Sequence, residues 1–222
     1  SDPLIVLSDG DPQQAAHAAL KSRMLNTGQS CIAAKRLIVV GDQYADFVTT
    51  LTERIEQLQV GDPQDETNDV GPLAKPEFVE ELHNQVMDSI AEGAKCTIGG
   101  SLLPGPGSFY PPTLLIDVTE EMTCFREETF GPVAVVIRAD NDEEAIRLAN
   151  KTRFGLGASL WTSSKRGIEL SSRIESGHVA VNGMVKSDPR LPFGGIKCSG
   201  YGRELSGYGI LPFVNIKTVW VK

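Results

Sequence analysis

No apolar run in the chain approaches the roughly 18–20 residues a membrane-spanning helix needs, so no membrane partner is expected. The opening stretch, SDPLIVLSDGD, does not read as a signal peptide, because acids flank a very short apolar run with no basic region before it. Basic charge is short too: 21 Lys and Arg stand against 29 Asp and Glu, a net charge of −8. Neutralising phosphates needs a basic face, so a nucleic-acid partner is not expected and a soluble acidic surface is. The four cysteines, at 31, 96, 124 and 198, form no CxxC pair. A disulfide framework belongs to small secreted chains dense in cysteine, so a reducing, cytoplasmic setting is expected. The three histidines, at 17, 83 and 178, lie far apart without metal-ligand spacing, and no metal site is expected. Neither G-x-G-x-x-G nor G-x-x-x-x-G-K-S/T occurs. The glycine clusters FGLGAS, PFGGIKCSGYGRE and LSGYGI read as tight turns that need positive φ.

What is present is an ordinary globular composition, 41% hydrophobic and 23% charged over 222 residues, enough for a sizeable core. Apolar strands alternate with amphipathic helices. Asp11 and Pro12 read as the cap and first residue of a helix reaching about Leu25, which Thr27-Gly28 stops. RLIVV reads as a buried strand. The helix after it carries Phe47, Val48, Leu51, Ile55 and Leu58 on one face. Past the connector VGDPQDETNDVGPL, Phe78, Leu82, Val86 and Ile90 mark a helix stopped by Gly93. KCTIGG, PTLLIDV, VAVVIRA, GASLWT and HVAVN read as strands, with a capped helix EEAIRLAN and a helix SKRGIELSSRIES between the later ones. This pattern predicts an α/β fold, an open, mostly parallel twisted sheet flanked by helices. The closing NIKTVWVK reads as a strand that pairs outside the domain.

Cys31, in LNTGQSCIAAKR, has two readings. Composition alone favours a small hydrophobe in the core, where most free cysteines go. Its surroundings suggest a nucleophile: a helix ends at Gly28, and the polar turn Gln29-Ser30 offers backbone N–H groups to an oxyanion. Arg36 would favour thiolate if it reached the sulfur. His178, 147 positions later and close to Asn182, invites a Cys-His-Asn reading. The sequence around Cys31 lacks the C-G-x-C context of that class, and HVAVN reads as a buried strand, so His178 is expected to be structural. In CFREETFGPVAVV, Glu127 and Glu128 stand before an aromatic residue, and alone read as a solvated turn. KSDPRLPFGG gathers Lys186, Ser187, Asp188 and Arg190 beside Phe193; as a pocket rim it would suit a small carboxylate, which arginine binds bidentately.

Three of these stretches, in this order and spacing, resemble the aldehyde dehydrogenase superfamily: NTGQSC its nucleophile segment, EETFGPV its cofactor-contact segment and LPFGGIKCSGYGRE its late pocket segment. The forms NTGQSCIAAKR, SDPRLPFGG and YGRELSGYGI resemble the succinate-semialdehyde dehydrogenase branch. The resemblance implies that Cys31 attacks the aldehyde carbon, that hydride passes to NAD or NADP, and that water hydrolyses the thioester left on sulfur. It also implies that the Cys31 N–H forms half of an oxyanion hole, that Glu128 binds the nicotinamide ribose, and that Phe130 lies beside the nicotinamide. Phe193 would line the aldehyde tunnel, with Ser187 and Arg190 as candidates for a substrate carboxylate. Some relatives carry an arginine six positions before the cysteine; Leu25 stands there here, so either the carboxylate grip differs or the substrate is another aldehyde.

The family's general base, its oxyanion asparagine and its dinucleotide-binding domain match nothing in these residues. The resemblance therefore assigns residues 1–208 to the cysteine-bearing catalytic domain and 209–222 to an oligomerisation tail, in an enzyme expected to be a homodimer or homotetramer. It implies that these residues by themselves do not oxidise aldehydes.

Overall fold

The computed structural model describes all 222 residues. Seven strands form one sheet: β1 (Pro3–Val6), β2 (Arg36–Val40), β3 (Lys95–Ile98), β4 (Thr113–Ile116), β5 (Val133–Ala139), β6 (Gly157–Trp161) and β7 (His178–Val181). Their spatial order is β3-β4-β5-β2-β1-β6-β7, parallel throughout except for the β3–β4 pair. Seven helices accompany it: α1 (Pro12–Arg23), α2 (Gly41–Ile55), α3 (Pro76–Ala91), α4 (Thr123–Arg126), α5 (Asp142–Asn150), α6 (Ser164–Ser171) and α7 (Ser206–Ile210).

Alternation along the central strands explains why the sheet is covered on both faces. Leu4, Val6, Leu37 and Val39 point into one core with Ala15, Ala16 and Ala19 of α1 and Phe47 and Leu51 of α2. Ile5, Leu7, Ile38 and Val40 point into the other with Leu82 and Val86 of α3 and Ala145 and Leu148 of α5. Side chains on a strand change face at every residue, so a strand apolar on both faces must lie between two helical layers. The open, mostly parallel sheet expected from the sequence is therefore present. Asp11 caps α1, accepting from Gln13 N and Gln14 N, and Gly93 takes a φ of 114° just past α3.

Some expectations change. SKRGIELSSRIES is helical only to Ser171. Asn150 takes over the backbone beyond it, donating to Arg173 O and accepting from Glu175 N, so those groups no longer extend a helix. β7 is half-buried, because it is the last strand of the sheet. NIKTVWVK forms no ladder with any strand of this chain, and Trp220 is 88% exposed. No helix is long and apolar enough to cross a membrane.

Candidate active site

The loop carrying Cys31 runs from α1 to the amino end of β2 and is held in an unusual conformation. Asn26, Thr27 and Gly28 all have positive φ, at 51°, 57° and 76°. A β-branched residue rarely adopts this region, at a cost of about 1–3 kcal/mol, and persists only where its surroundings over-determine it. Here they do. Thr27 Oγ1 donates to Gly71 O (3.4 Å), Asn26 Nδ2 to Gln29 O (3.1 Å) and buried Arg23 Nη2 to Gly28 O (2.6 Å). Gln29 clamps the connector, donating to Pro72 O at 3.3 Å and accepting from Ala74 N at 2.8 Å. Ala33 N then closes a turn onto Ser30 O at 3.1 Å, with Cys31 exposed at its outer side. The Gln29 N–H is spent on Asn26 O, whereas the Cys31 N–H donates to no group of the chain.

Lys35 and a glycine pair join this loop to the second segment. The Lys35 side chain is 1% exposed, and its Nζ donates to Ser30 O (2.8 Å), Cys31 O (3.1 Å) and Ala33 O (3.0 Å). The same ammonium lies 3.1 Å from Glu128 Oε1 and 5.6 Å from the centre of the Phe130 ring. Burial pulls its pKa down, with the charge of Arg23 acting the same way and Glu128 opposing both. Gly28 and Gly131 meet backbone to backbone: a Cβ on Gly28 would lie 2.2 Å from Gly131 O. Glu128 and Phe130 remain partly open, 31% and 43% exposed, in a cleft shared with Phe78, Leu82 and Gln85. Gln85 Nε2 donates to Glu127 Oε2 (3.0 Å) and Glu128 O (3.4 Å).

The third segment stands apart. Arg190 is 85% exposed and holds Asp188 bidentately, Nε to Oδ1 at 2.9 Å and Nη2 to Oδ2 at 2.7 Å. Ser187 is exposed beside it. Phe193 pairs through its backbone with Glu204, and its ring centre lies 6.2 Å from that of His178. No hydrogen bond or ion pair links Ser187, Arg190 or Phe193 to the Cys31 loop. Two sequence readings meet the structure here. Arg36 does not address the sulfur, since its buried guanidinium donates to Ser1 O, Leu148 O and Ala149 O. The His178 side chain makes no hydrogen bond to Cys31; its ring packs beside that of Phe193, and burial lowers its pKa.

The aldehyde dehydrogenase family model matches residues 1–219. The chain belongs to that family. A protein of Synechocystis sp. named "Probable succinate-semialdehyde dehydrogenase", with NADP(+), is 54% identical over 222 residues, which are 49% of its own length. The NADP(+) succinate-semialdehyde dehydrogenase 1 of Mycobacterium ulcerans is 50% identical over 222 residues, 48% of its length. Among solved structures, Gox0499 superposes with a TM-score of 0.96 at 38% identity, over 100% of this chain and 49% of that one. Succinate-semialdehyde dehydrogenase from Burkholderia pseudomallei gives 0.91 at 36%, over 95% and 44%. The chain thus spans about half the length of the curated relatives it matches.

In this aldehyde dehydrogenase chain, the segments around Cys31 and Glu128 converge at the amino ends of β2 and β5, the strands they lead into. A partly open carboxylate beside an exposed aromatic face fits the ribose hydroxyls and nicotinamide of a dinucleotide. The roles of Lys35, Arg23 and Gln85 were not apparent from the sequence. One signal existed for Lys35: a basic residue entering the doubly buried strand RLIVV needs partners, because an unpaired buried charge is very costly.

Proposed function

We propose that the chain carries the nucleophile of an NADP-dependent aldehyde dehydrogenase that oxidises succinate semialdehyde or a similar short carboxylated aldehyde. The observation that carries this reading is the exposed Cys31, its free N–H at a turn bonded through Lys35 to Glu128. The names of the Synechocystis and Mycobacterium relatives support the substrate and NADP. Cys31 as thiolate adds to the aldehyde carbon, and the carbonyl electron pair moves onto oxygen, where the Cys31 N–H donates to it. Glu128 would hold the nicotinamide ribose and Phe130 flank the ring; the dinucleotide, when bound, supplies the hydride acceptor. The acyl group left on sulfur is released to water as the acid. Ser187 and Arg190 are proposed to receive the substrate carboxylate, and Phe193 to line the approach. The exposed apolar residues of the tail, Ile216, Val219 and Trp220 among them, support pairing of residues 209–222 with another copy.

In the enzyme containing these residues, Cys31→Ala should reduce turnover by at least about 10³-fold, as loss of a catalytic nucleophile does, while NADP binding by fluorescence titration persists. Turnover within about tenfold of the parent would refute the assignment of Cys31.

A further inference from the structure

We propose that Lys35 is a positioning residue that aims the Cys31 N–H and ties the nucleophile loop to Glu128. The inference rests on the reading of Cys31 as nucleophile and adds the device that orients its oxyanion donor. The peptide bond is planar and trans, so the C=O of one residue and the N–H of the next point in opposite directions. Lys35 Nζ draws Ser30 O inward at 2.8 Å; the Cys31 N–H, across the same peptide, must therefore face outward. The Cys31 and Ala33 carbonyls, at 3.1 and 3.0 Å, turn toward the same ammonium. Three carbonyls of one turn thus converge on a single buried cation, and the cation is in turn anchored at 3.1 Å by Glu128 Oε1.

Lys35 supplies the only bond that reaches the Ser30–Cys31 peptide from outside its own turn. Apart from Lys35, Ser30 O accepts only from Ala33 N, within the same turn. The ammonium bonds Ser30 O, on the peptide that carries the Cys31 N–H, and makes no bond to the sulfur, so its effect falls on the oxyanion donor. Because one group serves both segments, movement of Glu128 onto a ribose would be felt at the turn that carries the nucleophile.

The test compares Lys35→Met and Lys35→Arg with the parent enzyme, alongside Cys31→Ala. Three quantities are read: kcat for the aldehyde, the rate of Cys31 carbamidomethylation by iodoacetamide followed by peptide mass analysis, and the thermal midpoint. Alkylation needs an accessible thiol but no oxyanion donor. Lys35→Met is expected to lower kcat by about 10²–10³-fold, the effect of losing one oxyanion donor, while the alkylation rate stays within threefold. Lys35→Arg, which keeps a cation with donors for the carbonyls, should recover at least tenfold of that loss. A Lys35→Met kcat within threefold of the parent overturns the proposal. So does a parallel fall of kcat, alkylation and thermal midpoint with no recovery in Lys35→Arg, which would make Lys35 a structural residue only. If Lys35→Met does not fold, Lys35→Gln is read in its place, with at least a tenfold kcat loss at unchanged alkylation expected and no loss overturning the proposal. Turnover persisting in Cys31→Ala would instead remove the nucleophile reading beneath it.

Discussion

Gly28→Ala probes the join between the nucleophile loop and the segment of Glu128 and Phe130. Two separable penalties act at this position. The backbone has φ +76°, where a Cβ costs about 1–2 kcal/mol in an L-residue. The new methyl would also stand 2.2 Å from Gly131 O and 2.5 Å from Gly131 C, contacts no real Cβ makes, and the forced separation adds about 1–3 kcal/mol by analogy with overpacked cores. The total, about 2–5 kcal/mol, is a large share of the 5–15 kcal/mol that holds an ordinary domain together. Gly202 supplies the control: its φ is +82° and nothing lies within 4 Å of its would-be Cβ. Gly202→Ala therefore carries only the backbone penalty, about 1–2 kcal/mol. Guanidinium unfolding followed by circular dichroism should place Gly28→Ala at the lower midpoint of the two, with equal slopes. The loop must also shift by an ångström or so to relieve the contact, and a misplacement of that size costs on the order of 10²-fold in kcat. Equal destabilisation of the two variants, to within about 0.5 kcal/mol, would refute the claim that close approach, beyond conformation, requires glycine at position 28.

Arg190→Ala is expected to raise KM several-fold more for a carboxylated aldehyde than for a neutral one of equal length; equal changes would show that Asp188 keeps the guanidinium to itself. Asp9 gives a pH prediction. Burial alone would raise its carboxyl pKa, but bonds from Thr162, Ser163 and Arg166 outweigh that and hold it at about 2, below its ordinary 3.8. A depressed carboxyl stabilises the fold above its unfolded value, and that contribution disappears as pH falls through about 2. Asp9→Asn should therefore cost about 0.5–1 kcal/mol at pH 7, the scale of a solvent-exposed ion pair, and less at pH 3; an equal cost in denaturant midpoints at both pH values would show that the charge is not what matters.

How much the sequence disclosed follows from the range of the forces involved. Element type is set by local periodicity, and so RLIVV, VAVVIRA and GASLWT are strands of a doubly covered sheet as expected. The end of α6 was illegible because Asn150, more than 20 residues away in sequence, decides it. NIKTVWVK has strand composition, yet a strand exists only with a ladder partner, and this chain offers it none. The same distinction governs the site. The family resemblance singled out Cys31, Glu128 and Phe130, and the fold brings their segments together. Why those motifs contain the residues they do could not be read from spacing. Gly28 reads in sequence as a helix stop, but the structure gives it two further constraints, positive φ and a carbonyl of Gly131 in the space of a side chain. Lys35 reads in sequence only as one of two adjacent basic residues after the cysteine, whereas the structure buries it and bonds it to three carbonyls and a carboxylate. Its neighbour Arg36 spends its donors on the carbonyls of Ser1, Leu148 and Ala149, away from the cysteine. Two adjacent basic residues thus divide between the nucleophile loop and the frame of the sheet. Adjacent residues entering a strand point to opposite faces, so this alternation is what gives one of them to the site and the other to the fold.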